Sequence, residues 1–349
     1  MSLVLSVDGD RWRAHMVSVD ERTPGLVPVA KGNGYGFTLG RLARRAAWLG
    51  VDTLAVGTYE ELPAVATRFD GSLLVLTPWR PWIGPLEPPL VDRVVHTVSR
   101  PADLAGLLAV QPDARLVLEL LTSMRRHGML AQELWAAVAE LRGHHEARFE
   151  GVALHLPLGQ GSHLGEVERL LNDVVGAGLN ATTIYVSHLS ADELDRLRTT
   201  YADLTIRPRI GTDLWLGDRS ALTVTADVLD VHPLDRGQPF GYRGRTLPRD
   251  GHLVVVSGGT AHGIGLEAPT GSSGLRARAA SVARGGLEAM GLVRSPFWVD
   301  GKQRLFAEPP HMQASMLFLP GGATVPDVGD RVEVRCRYTA TAFDRIEVS

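Results

Sequence analysis

The sequence predicts an α/β protein: a (β/α)8 TIM barrel over residues 1–220, then a mostly antiparallel β domain over residues 221–349. Three observations carry this. Eight short β-like runs fall within about 185 residues, helical patterns separate most of them, and beyond about residue 220 the β-runs continue without long helices between them. Residues 1–8 are also apolar enough to pair with the second domain.

Taken in order, the first strand is expected at 26–30, although Pro28 within it has no N–H for a ladder. Thr38 then reads as the cap of a helix in which Leu39, Leu42, Ala43, Ala46 and Leu49 recur at helical spacing, with Gly50 as its stop. Further strands are predicted at 53–57, 73–77, 93–98, 115–120, 150–155, 182–187 and 204–210. The clearest helical patterns between them lie at 104–109, 132–141, 167–175 and 192–197. In the second domain β-runs occupy 222–232, 252–257, 314–319 and 331–337, punctuated by proline and glycine at 269–274 and 320–322, with one helix expected at 276–290.

A chain of 349 residues with 44% apolar composition can bury a substantial core. A net charge of −3 leaves no electrostatic footprint for nucleic acid. The single cysteine, Cys336, excludes an internal disulfide framework and suits a reducing cytoplasm. The N-terminus lacks the basic segment of a signal peptide, and no run approaches the ~18 to 20 apolar residues of a membrane span. His144, His145 and His163 have no carboxylate or cysteine at ligand spacing, so no metal is expected.

The stretch with most chemistry is Val29-Ala30-Lys31-Gly32-Asn33-Gly34-Tyr35-Gly36. A lysine becomes a covalent carrier of an aldehyde only where burial or charge disfavours its ammonium form, and the apolar run before Lys31 offers burial. The three glycines let backbone N–H groups approach an anion such as a phosphate, with the Tyr35 hydroxyl as a further donor. Lys31 is therefore read as the carrier of pyridoxal 5'-phosphate. A solvated strand-end lysine beside a flexible turn is the ordinary alternative. A dinucleotide fingerprint fits worse, because it has no lysine at the junction.

These residues resemble the alanine racemase family of pyridoxal phosphate enzymes, whose usual form is Lys-Ala-Asn/Asp-Ala-Tyr-Gly-His; here both alanines are glycine and the histidine is Phe37. The resemblance implies that Ser123-Met124-Arg125-Arg126-His127-Gly128 places Arg126 on the substrate carboxylate. Glu119 stands where many relatives have a carbamylated lysine that orients this arginine. It implies further that His155 lies against the cofactor ring and that Ser190 binds the phosphate. Arg209-Ile210-Gly211-Thr212 would put Arg209 at the pyridine nitrogen and the N–H groups of Gly211 and Thr212 on the phosphate, with Arg207 as the alternative register. Gly237-Gln238-Pro239-Phe240-Gly241-Tyr242 resembles the segment carrying a second base, Tyr242, delivered from the partner subunit of a homodimer. Thr260 replaces a pocket tyrosine, and Met312 is expected at the substrate through its backbone. The similarity covers about residues 10 to 245 and weakens beyond.

The implied activity is amino-acid racemisation, by default of alanine, with Lys31 and Tyr242 as bases on opposite faces. Arg209 argues against the decarboxylases of the same barrel, and the second domain with Tyr242 against single-domain cofactor carriers. A racemase of serine or a larger amino acid, or a diverged paralogue without alanine activity, stands as the alternative. The two alanine-to-glycine changes predict a looser turn after Lys31 than in relatives.

Overall fold

The structure, a computed structural model, describes residues 2–159, 161–247, 249–266 and 293–349. The helix expected at 276–290 and the turn at 269–274 lie outside the described residues. The chain divides into two compact units, Arg13–Gly217 and Met1–Trp12 with Asp218–Ser349.

After strand β1 (Leu3–Val7) and a helix at Gly9–Glu21, the first unit is a closed parallel barrel of eight strands. They are β2 (Val27–Ala30), β3 (Thr53–Val56), β4 (Ser72–Val75), β5 (Val94–Val98), β6 (Arg115–Leu120), β7 (Arg148–His155), β8 (Thr183–Ser187) and β9 (Thr205–Ile210), each neighbouring the next and β9 closing on β2. All eight barrel strands expected from the sequence are present. Pro28 is tolerated because β2 changes partner there: Val27 and Pro28 pair with β9, whereas Val29 and Ala30 pair with β3. The helix Leu39–Leu49 stops at Gly50 in the left-handed region (φ 75°), as expected. Its start differs from expectation: Thr38 sits at φ 71° and its side chain makes no capping hydrogen bond, so tight exit from the preceding turn replaces a hydroxyl cap.

Side chains alternate across a strand, so residues two apart share a face. The inward set Val27, Val29, Ala55, Leu74, Val95, Val117, Ala153 and Tyr185 makes one buried apolar cluster. Arg207 closes it below, its guanidinium 5.7 Å from the Tyr185 ring and paired with Asp52 just before β3. A bulge in the β6 to β7 pairing at Leu116/Val117 is accommodated by Gly151 (φ 140°), after which Ala153 and His155 return to the inner face. Outside the strands, Leu104, Leu107, Leu134, Val138, Leu170 and Leu194 pack helices onto the sheet.

The second unit contains β10 (Leu222–Leu234), β11 (Gly251–Ser257), β12 (Arg294–Val299), β13 (Lys302–Phe306), β14 (Ala314–Pro320), β15 (Arg331–Val334) and β16 (Arg345–Val348). Its order is β11-β14-β13-β12-β15-β10-β1-β16 with β10 also pairing β11, so six strands form a ring. The pairing is antiparallel except where β16 runs parallel to β1. β1 joins this sheet through Leu3 to Val7 against Leu222 to Ala226.

His96 on the outer face of β5 is buried; its Nδ1 lies 2.8 Å from the Tyr59 hydroxyl and burial lowers its pKa to about 4. An unfolded histidine titrates near 6.5, so below that pH the unfolded chain binds more protons and stability is lost as pH falls toward 4. Urea unfolding between pH 6.5 and 4 should therefore show His96 contributing about 1.4 kcal/mol per pH unit. His96→Gln should make the slope of stability against pH shallower, and an unchanged slope would remove His96 from this account.

Candidate active site

Two residues beyond the apolar layer, on the same inward face, the strands change character: Lys31 follows Val29, Glu119 follows Val117, His155 follows Ala153, Ser187 follows Tyr185 and Arg209 follows Arg207. The sheet alternation alone thus brings five polar residues to the carboxyl-terminal mouth, where barrel loops carry function.

Lys31 directly follows β2, against Gly57; a Cβ on Gly57 would lie 2.9 Å from the Lys31 Cβ. Burial, then the charges of Arg126 and Arg209, lower the Lys31 pKa, while Glu61 opposes them. The turn that follows is held by hydrogen bonds along its length. Gly32 N–H donates to Glu61 Oε1 at 2.6 Å, Gly34 N–H to the Lys31 carbonyl at 3.1 Å and Phe37 N–H to the Gly34 carbonyl at 2.8 Å. Gly32 and Gly34 have φ of 61° and 64°, a region costly to alanine, so glycine here serves a fixed left-handed path. Glu61 also accepts from Gly57 N–H at 2.7 Å and so clamps two strand ends together. Sequence reasoning missed Glu61; its signal was Thr58-x-x-Glu61, the pattern of a capping box.

Tyr35, itself left-handed at φ 55°, turns its hydroxyl onto Gly211, where any Cβ would collide with it. Burial and Glu61 push the Tyr35 pKa up to about 12, keeping it a neutral donor. Thr212 opens a short helix, Thr212–Leu216, so its N–H has no intrahelical acceptor. That helix is anchored by buried Trp215, whose Nε1 donates to the Val29 carbonyl at 2.7 Å.

Arg209 is buried, donates Nη2 to the Leu154 carbonyl at 2.9 Å, and has an Nε without an acceptor. Desolvation lowers its pKa to about 10, with Glu119 opposing the shift, so it stays a cation at neutral pH. Glu119 is likewise buried with Oε2 unpartnered; burial raises its pKa, while Arg209, Arg126 and Arg80 pull it down. Arg126 rides on a loop that closes on Glu119: Met129 N–H donates to the Glu119 carbonyl at 2.8 Å, and Gly128 (φ 129°) leaves no room for a side chain over Leu120. Among the described residues, the exposed Arg126 guanidinium has no hydrogen-bond or ion-pair partner.

His155 accepts or donates through Nδ1 at 2.8 Å to Ser187 and meets His188 edge-on, ring centroids 5.2 Å apart. Burial and then Arg209 and Arg126 drive its pKa down to about 3, and His188, left-handed at φ 63°, shifts the same way. His188 was not singled out from sequence. Ser190 caps the helix Ala191–Thr200 in a capping box with Glu193, its hydroxyl 3.0 Å from Glu193 Oε2. The other Glu193 oxygen holds Ser162 and the N–H of His163. Arg207 is committed to Asp52 at the opposite end of the barrel, while Arg209 faces the mouth.

In the second unit Tyr242 is 87% exposed and Met312 73%, and the His311 ring lies 4.7 Å from that of Tyr242. Thr260 and Ala261 donate backbone N–H groups to the carbonyls of His311 and Met312. His144 is tied to Glu140, and among the described residues no group of three or more His, Cys, Asp or Glu could hold a metal ion.

With this geometry in view, the profile described as alanine racemase, N-terminal domain, matches residues 7–206. The chain belongs to the alanine racemase family. It is 27% identical to the alanine racemase of Mycobacterium tuberculosis (strain ATCC 25618 / H37Rv) over 269 residues, 68% of this chain and 67% of that protein. It is also 27% identical to the alanine racemase of Nitratidesulfovibrio vulgaris over 275 residues, 71% of this chain and 72% of that one. The fold of this family member follows the solved alanine racemase from Bacillus anthracis with bound L-Ala-P (TM-score 0.72, 18% identity, 97% of this chain and 90% of that chain). It also follows the one from Bartonella henselae with covalently bound pyridoxal phosphate (TM-score 0.70, 17% identity, 97% and 91%).

Only two lysines occur in the chain, Lys31 and Lys302, and both are exposed, so the neighbouring arginines rather than access distinguish them. Limiting acylation of the cofactor-free protein near neutral pH should therefore label Lys31 ahead of Lys302, read by peptide mapping. The reverse order would mean that the Lys31 ammonium is not destabilised.

Proposed function

We propose that this chain is a pyridoxal phosphate-dependent alanine racemase, interconverting L- and D-alanine by a two-base mechanism. The observation that carries the reading is the pairing of Lys31, an amine held toward its neutral form, with Arg209, a buried cation whose Nε lacks an acceptor. A pyridine nitrogen is such an acceptor, and an aldehyde is what a neutral lysine captures.

The residues fit the cofactor. Lys31 would hold it covalently, Arg209 its ring nitrogen, and His155 one side of its ring. Tyr35 with the N–H groups of Gly211 and Thr212 would hold the phosphate. Ser190 stands at the end of the neighbouring strand and contributes by turning its hydroxyl from Glu193. When bound, pyridoxal phosphate supplies the electron sink for the charge left at Cα on proton removal.

The chain's own groups decide binding and proton traffic. Arg126, a free guanidinium at the mouth, takes the substrate carboxylate, and buried Glu119 supplies the negative charge that keeps Arg126 and Arg209 at close quarters. Lys31 Nζ takes or returns the α-proton on one face and Tyr242 Oη on the other. The exposure of Tyr242 and Met312 supports their delivery to a second subunit, as a homodimer with shared sites. Half-buried Cys336, alone in the chain, suits a cytoplasmic setting.

Purified protein with pyridoxal phosphate should show a visible band that borohydride fixes on Lys31, and Lys31→Arg should abolish it; a colourless protein would end the reading. Gly211→Ala forces a methyl onto the Tyr35 hydroxyl and should weaken cofactor binding roughly 10- to 100-fold, measured by titrating that band. An unaltered affinity would move the phosphate elsewhere. Exchange of the α-proton in heavy water, run on each enantiomer across a panel of amino acids, tests the reaction and its substrate together. Tyr242→Phe should slow exchange from one enantiomer about 100-fold or more while sparing the other. Equal loss from both would make Tyr242 structural.

A further inference from the structure

Behind the exposed face of Tyr242 lies a buried carboxylate that the proposed reaction does not use. Glu308, only 4% exposed, accepts the Tyr242 backbone N–H on Oε2 at 3.2 Å and meets His311 Nε2 with Oε1 at 2.6 Å. The His311 ring packs on the Tyr242 ring at 4.7 Å and 52°. Gly241 (φ 69°) makes this possible, since a Cβ there would run into the Glu308 carboxylate. The far side is fixed too: His311 N–H donates to the Ala314 carbonyl at 2.9 Å, and Thr260 N–H donates to the His311 carbonyl at 2.8 Å.

We infer that Glu308 and His311 are positioning residues for Tyr242, a hydrogen-bonded pair that fixes its backbone and its ring so that the phenol is presented in one orientation. This rests on the reading of Tyr242 as a base. A phenol 87% exposed has little packing of its own, so without a support its ring would sample several rotamers. Glu308 and His311 supply that support with one carboxylate: one oxygen holds the main chain at Tyr242, and the other orients the imidazole that the ring rests on. Carboxylates are seldom buried without such duties, and here both oxygens are engaged.

The test uses the holoenzyme with Glu308→Gln, His311→Phe and, as reference, Tyr242→Phe. Exchange of the α-proton is measured from each alanine enantiomer separately. Each positioning variant should slow exchange from the enantiomer that Tyr242→Phe impairs by about 10-fold or more, with the other enantiomer and both KM values within about 2-fold. A readout independent of turnover is the fluorine resonance of 3-fluorotyrosine at position 242, assigned among the six tyrosines by its loss in Tyr242→Phe. It should be a narrow line in the parent and broaden or split in both variants. Unchanged exchange and an unchanged line, with Tyr242→Phe still selective, would overturn the inference and leave the proposed reaction standing. Equal slowing from both enantiomers would make the pair structural, which also overturns it. A Tyr242→Phe variant without selectivity would instead overturn the role of Tyr242 as a base, and this inference with it. Should Glu308→Gln fail to fold, His311→Phe decides.

Discussion

A guanidinium that keeps its charge at neutral pH is buried inside the mouth of the barrel, and the neighbouring groups answer to it. Arg209 has one carbonyl, that of Leu154, and the nearby Glu119 to offset the loss of water. Burial first, and then its field together with that of Arg126, lowers the pKa of Lys31, His155 and His188. An amine biased toward its neutral form and two imidazoles shifted the same way, beside arginine cations, make a site suited to an anionic ligand. Burial raises the pKa of Glu119, and the charges of Arg209, Arg126 and Arg80 around it pull the other way, toward the carboxylate that would balance them.

The geometry is held by groups that do no chemistry. Glu61 ties Gly32 to Gly57, Trp215 ties the helix after β9 to the Val29 carbonyl, and Thr122 ties the Arg126 loop to the His155 carbonyl at 2.6 Å. Each bond joins the ends of two different strands. The mouth is therefore a stitched rim in which the strand ends are tied to one another.

The barrel was legible because its strands are short buried runs set apart by amphipathic helices, and the inward polar residues stood out as breaks at the ends of those runs. Lys31, Glu119, His155 and Arg209 stood out in this way, whereas Arg126, in the loop beyond β6, was reached only through the resemblance of its motif. Glu61 and His188 were not, because a lone carboxylate in a short helical turn and a histidine just past a strand carry no periodic signal. The helix Gly9–Glu21 was missed although Trp12, Met16 and Val19 bury one stripe of it, since Asp and Arg dilute its opening turn. In the second unit β12 and β13 escaped because Pro296 and the polar run at 302–304 break the alternation. Asp300-Gly301 between them, both at positive φ, was the available hairpin signal. After Lys31, glycine widens the choices of the unfolded chain, while Glu61 and the main-chain bonds select one of them in the fold.

The near absence of lysine has a consequence for selectivity. Of 36 basic residues only two are lysines, and Lys302 sits outside on a hairpin while Lys31 faces inward. Aldehydes add readily to amines and poorly to guanidinium groups. A protein whose positive surface is made almost wholly of arginine thus offers a reactive aldehyde very few stray sites. Its solubility and its ion pairs are kept by groups inert to that chemistry, so composition itself acts as a filter against off-target adducts.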